Sequence, residues 1–450
     1  MTSQNIAWLR YLPASLRALI ESRPNLLKII DNTGWLFIDR ALRVGVGLIV
    51  GVWMARYLGP ENFGLLNYAI AFIGLFGALA SLGLNSVVVR DLVKNRECAS
   101  SMLGTAFLLQ VVGSLVALGL AVTVISFARP DDALAKTLVV ILGFVMIFKA
   151  SDVVKYWFEA KVLSKYAVLV ENCIFILVSI VKVGLILLEA PLVAFAWAVF
   201  VEGLLTAIGL FIMYAWREGG LSEWRGKYQS AKNLLKDSWP LALSGLAVMV
   251  YMRIDQIMLG QMLGNEAVGI YTAAVRISEV WYFIPMIIVS SVFPTIIEAK
   301  KNQNEELYYK RFQDIYNLMV LLALIIALTI TFLSDWIVIV LFGQDYVEAA
   351  TILKIHTWAS VFAFLGVASG KWYLLEGLST HLFKRTAMGA VINIILNILL
   401  IPEYGLVGAA VATLISFSVA GFLFDVLYEK TRIMFFMKLD AILLRGLYVR

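Results

Sequence analysis

The sequence predicts an all-α integral membrane protein of about 12 transmembrane helices, arranged as two six-helix lobes related by a pseudo-two-fold axis along the membrane normal. Three observations predict it. Of 450 residues, 61% are hydrophobic and 15% charged, with a mean hydropathy of +0.86, whereas a soluble domain carries roughly 25% charged residues. Apolar stretches of spanning length recur along the whole chain, and segments of its first half reappear in its second. This composition excludes a water-soluble enzyme, a disordered chain and a nucleic-acid module. The net charge of +6 is dispersed, not gathered on one face or tail as a polyanion partner requires.

Residues 1–34 lack the charged start, apolar core and small-residue cleavage site of a secretory signal. Instead 12–30 reads as a basic amphipathic stretch, with Leu16, Leu19, Ile20, Leu26, Leu27 and Ile30 amid Arg17, Arg23 and Lys28, suited to an anionic leaflet. Six spans follow at 35–57, 63–84, 102–128, 136–157, 167–188 and 192–216. A polar linker at 218–237 precedes six more, at 238–259, 266–293, 312–333, 349–375, 381–401 and 406–428. The apolar run 335–346 is too short to cross and reads as an interfacial turn. The expected organisation is therefore an N-terminal segment 1–34, an N-lobe 35–217, a linker 218–237, a C-lobe 238–428 and a basic tail 429–450. Cys98 and Cys173 fall in unlike surroundings, so no disulfide is expected.

Charge distribution tests the span count independently. With the amino terminus in the cytoplasm, the two tails and the even-numbered loops hold 26 of the 37 Lys and Arg, and the odd-numbered loops hold only Arg129 and Lys136. Translocated loops are poor in Lys and Arg, so both termini are expected in the cytoplasm. The internal repeat agrees. LGPENFG at 58–64 matches LGNEAVG at 263–269, YWFE at 156–159 matches YLLE at 373–376, and LVA at 192–194 matches LVG at 406–408. Each half holds an even number of spans, which gives the parallel-repeat transporter plan with the substrate path between lobes.

Nine cations lie within the spans. Arg56, Lys354 and Lys371 are near span ends and are read as snorkelling. Arg40, Arg43, Lys149, Lys182, Arg253 and Arg276 are deeper. At about 3 kcal/mol each, six lipid-facing cations would exceed the stability of a typical domain, roughly 5–15 kcal/mol. They are therefore expected to face a wet cavity or buried partners. Helical spacing offers Asp39 to Arg43, Asp152 to Lys149 and Glu279 to Arg276, and structural ion pairing accounts for these three as well as ligand binding does. Arg40, Lys182 and Arg253 have no partner on their own helix. None of the six aligns with a cation in the other half, which is the pattern of ligand chemistry added to a duplicated scaffold. Asp255, Glu202 and Glu279 are the carboxylates available for ion or proton coupling, or for neutralising a cation. No catalytic triad, nucleotide loop, metal-ligand cluster or cofactor motif is present.

The segments ARYLGPENFG at 55–64 and LGLNSVVVR at 82–90 resemble the first two spans of polysaccharide repeat-unit flippases of the O-antigen (Wzx) type, within the multidrug/oligosaccharidyl-lipid/polysaccharide (MOP) superfamily. VLFGQDYVEAA at 340–350 and GLVGAA at 405–410 are similar to that family's approaches to the tenth and twelfth spans. The resemblance implies lobes rocking between inward-open and outward-open states in the bacterial cytoplasmic membrane. It also implies an undecaprenyl-pyrophosphate-linked oligosaccharide as cargo, its diphosphate met by the cationic lining and its tail left in the bilayer, and polysaccharide polymerases as partners. Two alternatives stand beside it. A cation-coupled drug exporter on the same fold would favour an acidic cavity. A membrane polymerase or ligase would need a sizeable outer loop, and here those connections are short.

Overall fold

The computed structural model describes residues 24–94 and 99–445, and these are helical almost throughout. Cys98 and most of the amphipathic stretch at 12–30 lie outside the described residues; Cys173 is exposed with a free thiol. Ten helical segments among the described residues are long and apolar enough to cross a membrane. Two of them are compound. Helix α1 (Pro24–Ala80) has 57 residues, about 85 Å at 1.5 Å per residue, nearly three times a hydrocarbon core of about 30 Å. It breaks at Gly59, whose φ of 69° and ψ of 170° leave the helical region. Glycine reaches positive φ without a Cβ clash, and Pro60 both disfavours a helical residue before it and lacks an N–H donor. The second repeat copy turns the same way: α8 (Tyr228–Met262) ends and α9 (Asn265–Glu279) begins across Gly264, at φ 97°.

Between these come α2 (Leu84–Lys94), α3 (Ala99–Ala128), α4 (Ala133–Phe148), α5 (Asp152–Ala160), α6 (Lys165–Leu187) and α7 (Leu192–Glu218). After α9 follow α10 (Phe283–Lys301), α11 (Glu305–Phe342), α12 (Ala349–His356), α13 (Ala359–Leu375), α14 (Ser379–Gly421) and α15 (Arg432–Ile442). Helix α14, the second compound segment, breaks at Gly405. Three predicted single spans are interrupted: by 3-10 turns at Lys149–Ser151 and Val280–Tyr282, and by a turn between α12 and α13. The run 335–346, expected to form an interfacial turn, is largely a continuation of α11 through Phe342, because no breaker precedes Gly343.

The packing is asymmetric across the membrane. Near the turns at 58–62, 129–132, 263–265 and 343–348, one apolar core draws on both halves. Ala55, Phe63, Tyr68, Ile125 and Leu192 meet Leu259, Val268, Phe342, Tyr346 and Ala409 there. Toward the opposite face the cores separate. Leu84, Val88, Leu103, Val153, Phe158 and Leu210 of the first half cluster around the start of α8 at Leu234. Ile296, Phe312, Tyr316, Phe364, Trp372 and Met434 of the second half form another cluster. The halves therefore join at the turn face and diverge below it.

Polar contacts close the joined face. Arg129 donates to the Asn265 side chain at 2.7 Å and to the Gly260 carbonyl, and its guanidinium lies 3.9 Å from the Tyr68 ring centroid. The Tyr346 hydroxyl donates to the Ala55 carbonyl at 2.8 Å. Arg56, expected to snorkel, instead donates to the carbonyls of Leu341 (2.7 Å) and Val340 (2.5 Å), the orphan acceptors at the end of α11.

Candidate functional site

Where the halves diverge, α1, α4, the Lys149–Ser151 turn, α7, α8 and α9 line a cavity of about 590 Å³. Its polar lining is Asn67, Lys149, Arg253, Gln256, Thr272, Arg276 and Glu279. Three cations thus face one carboxylate. Helix geometry explains the convergence on the second half: Thr272, Arg276 and Glu279 fall three or four residues apart on one face of α9, as Arg253 and Gln256 do on α8.

The pairing within this cavity differs from the spacing-based expectation. Glu279 pairs with Arg253 of the neighbouring helix at 3.1 Å, not with Arg276 one turn away. Among the described residues Arg276 has only a neutral hydrogen-bond partner, the Asn67 side-chain oxygen at 3.4 Å, and its guanidinium carbon lies 5.1 Å from the centre of the Phe63 ring. Likewise Asp152 does not pair with Lys149. It accepts from Lys155 at 2.8 Å, and Lys155 also reaches Glu171 at 2.9 Å. Lys149 is exposed to the cavity, with no carboxylate within ion-pair distance among the described residues. In both cases a carboxylate close in sequence is captured by a cation better placed in space.

A second chamber of about 200 Å³ adjoins the first through Lys149, Val145 and Val199. Arg43, Asp152, Lys155, Glu171 and Glu202 line it. Arg43 pairs with Asp39 at 2.7 Å, as its spacing predicted, and also with Glu171 at 3.5 Å. Lys182, without a partner on its own helix, pairs with Glu202 of α7 at 3.0 Å and lines neither chamber. Arg40 is exposed on α1 and also lines neither.

Asp255 lies off the cavity, 5% exposed within the second half. It accepts from the Tyr271 hydroxyl at 2.5 Å, from the Gln256 backbone N–H at 2.8 Å and from the Thr413 hydroxyl at 3.3 Å. Asn393 donates to Thr413 at 3.5 Å and accepts from Asn397 at 3.0 Å, which extends the network along α14. Hydroxyl and amide donors, rather than a cation, satisfy this carboxylate. Of the predicted residues, then, Lys149, Arg253, Arg276 and Glu279 share the central cavity, Arg43 and Glu202 line the adjoining chamber with Lys149, and Arg40, Lys182 and Asp255 stand apart.

Sequence reasoning missed Asn67, Gln256 and Thr272, and it did not single out Lys155. The available signal was an amide or hydroxyl interrupting an otherwise apolar face, as Asn67 does one turn after Phe63 and Gly64.

Comparison with known proteins adds the following. A family model described as "Polysaccharide biosynthesis protein" matches residues 29–300, and a MatE model matches residues 240–399. The Haloferax volcanii protein named "Probable low-salt glycan biosynthesis flippase Agl15" is 24% identical over 396 residues, covering 85% of this chain and 80% of the relative. Among solved structures, an inward-facing multidrug resistance MATE family transporter of the MOP superfamily aligns with a TM-score of 0.68 at 15% identity, covering 90% of this chain and 95% of that one. The lipid II flippase MurJ, in an inward closed conformation, aligns with a TM-score of 0.63 at 16% identity over 92% and 91%. These two likenesses establish the fold.

Proposed function

The chain belongs to the polysaccharide biosynthesis protein family, and from that premise we propose that it is a flippase for a polyprenyl-pyrophosphate-linked oligosaccharide, working by alternating access through the cationic cavity for cell-surface polysaccharide assembly. One observation carries the reading. The cavity between the halves presents three cations against one carboxylate, and Arg276 and Lys149 have no acidic partner among the described residues. A diphosphate can engage a guanidinium and an ammonium that hold no carboxylate without first breaking an ion pair. The name of the glycan flippase relative supports the same cargo class.

In this reading the two compound helices each count as two crossings, which makes twelve spans in two six-helix lobes at 35–217 and 238–428, joined by the linker 218–237. The repeat copies pack against each other at the turn face, which supports the pseudo-two-fold axis. In the same reading the basic loops face the cytoplasm, and both termini and the open face of the cleft lie on that side of a bacterial inner membrane, where the sugar carrier is made. Arg253, Lys149 and Arg276 meet the diphosphate in the central cavity, with Arg43 beside Lys149 in the adjoining chamber. Arg40 and Lys182 belong to the cytoplasmic and outer approaches. Asp255, Glu202 and Glu279 are the carboxylates open to ion coupling. The carrier is undecaprenyl pyrophosphate, and polysaccharide polymerases take the product on the far side.

The test is Arg276→Ala in cells that depend on this chain for surface polysaccharide. Loss of the polymer, with the protein still inserted and the lipid-linked unit held on the inner leaflet, is expected. Normal export would overturn the cationic-cavity mechanism. A drug exporter, which the MatE match over 240–399 brings into view, would instead leave polysaccharide intact on deletion and change drug tolerance.

A further inference from the structure

Arg276 belongs to the second half of the chain, yet its guanidinium is held against residues of the first. It reaches Asn67 at 3.4 Å and lies 5.1 Å from the Phe63 ring centre, within cation–π range. The third contact is with a residue that no sequence pattern singled out. A Cβ placed on Gly51 would fall 1.8 Å from Arg276 Nη1 and 3.0 Å from Cζ. Any side chain at position 51 would occupy the volume the guanidinium fills. Gly51, Phe63 and Asn67 therefore form a niche on α1 that holds Arg276 against the first half, below the joined turn face.

We propose that Gly51 is a positioning residue for transport, and that its niche and the cargo diphosphate compete for Arg276. The inference rests on the flippase reading and deepens it. The docked guanidinium is one of the ties that hold the two halves together on the turn side. The tie is weak by design, because a charge–amide contact at 3.4 Å is at the long end of hydrogen bonding. A diphosphate offers shorter, charge-assisted bonds and takes the same guanidinium without displacing a carboxylate. Arg253 differs, since capturing it means separating it from Glu279. Cargo binding thus withdraws a tie between the halves and shifts the population toward the state that opens on the turn side. This supplies the differential interaction that a ligand-driven change requires.

The experiment uses the full chain in nanodiscs, in a Cys98→Ser, Cys173→Ser background. Spin labels on Glu61→Cys and Met262→Cys report the separation of the halves at the turn face. The probe is geranylgeranyl diphosphate, and its affinity is read by calorimetry. The probe should bind and lengthen the label-to-label distance. Gly51→Ala displaces only the flexible end of Arg276, so the fold is retained. This variant should lengthen the resting distance and bind the probe about threefold more tightly, since one hydrogen bond no longer competes. Asn67→Ala should do the same, and Arg276→Ala should abolish both responses. A merely structural role for Gly51 would not raise affinity. Wild-type binding with unchanged or weaker binding in Gly51→Ala and Asn67→Ala overturns the proposal and leaves the flippase reading standing. No probe binding by the wild type overturns both.

Discussion

Gly64 and Gly269 hold equivalent places in the two repeat copies and press backbone to backbone across the joined face. A Cβ on Gly64 would lie 1.8 Å from the Asn265 carbonyl oxygen, and one on Gly269 would lie 2.0 Å from that of Pro60. Pro60 and Asn265 are themselves equivalent in the repeat. The contact is therefore reciprocal, as between segments related by a two-fold axis.

From that contact follows the first expected outcome. Gly269→Val pushes a side chain into backbone that cannot swing aside, at a cost of about 1–3 kcal/mol. The thermal midpoint of the detergent-solubilised protein should fall. Gly245→Val, where nothing lies within 4 Å of the added Cβ, is the control and should leave the midpoint unchanged. Equal effects at both positions would refute tight closure at Gly269.

Lys149 and Lys155 are separated by six residues but should behave oppositely. Lys149→Ala removes a cation that holds no carboxylate, so export should fall at least about tenfold with stability preserved, provided it meets the phosphate. Lys155→Ala strands Asp152 and leaves Glu171 with Arg43 alone, at 3.5 Å, in place of the bridge at 2.8 and 2.9 Å, so its first effect should be a lower thermal midpoint. Export assays paired with melting curves would check both.

Glu279→Gln should strengthen binding of a lipid diphosphate severalfold, because it frees Arg253 and removes the one carboxylate in the cavity lining. The same change should slow release and so reduce turnover. Calorimetry with single-turnover transport separates the two effects; weaker binding would count against an anionic cargo.

The last expected outcome concerns Lys438 on α15, which is fully buried and donates to Asp425 at 2.6 Å and to the Gly421 carbonyl at 2.7 Å. Lys438→Met leaves Asp425 buried without its cation and should cost about 3–5 kcal/mol, much of it recovered in the Lys438→Met, Asp425→Leu double variant. Burial pushes the Lys438 ammonium down to about 8, against the opposite pull of Asp425. An unfolded lysine titrates near about 10.4, so between those values the unfolded chain holds more protons. The contribution of this group to stability should rise as pH rises through that window and level off above it. Melting curves from pH 8 upward should show that slope in the wild type and not in the double variant.

Much of this architecture was legible before any coordinates. The apolar runs, the turns at 58–62 and 263–265 and the repeat are local properties of the chain, and backbone hydrogen bonding in lipid leaves an apolar run little choice but a helix. Depth along a helix is local too, so Arg276 and Lys149 could be placed in the membrane interior by counting residues. Partnership was local for Arg43 and Asp39, and otherwise not. Spacing offered Glu279 to Arg276 and Asp152 to Lys149, but the folded chain gives these carboxylates to Arg253 and Lys155. It also hides Lys438, which the sequence placed in a basic tail, in the interior with Asp425. A long charged side chain settles on whichever oppositely charged group or amide lies nearest in three dimensions, and which helices stand next to one another is decided only when the two halves pack. The sequence by itself therefore determined the apolar helices, the turns at 58–62 and 263–265 and the Asp39–Arg43 pair, all set by neighbours along the chain; the tertiary structure alone decided the interruptions at Lys149–Ser151 and Val280–Tyr282 and which of the remaining carboxylates each cation meets.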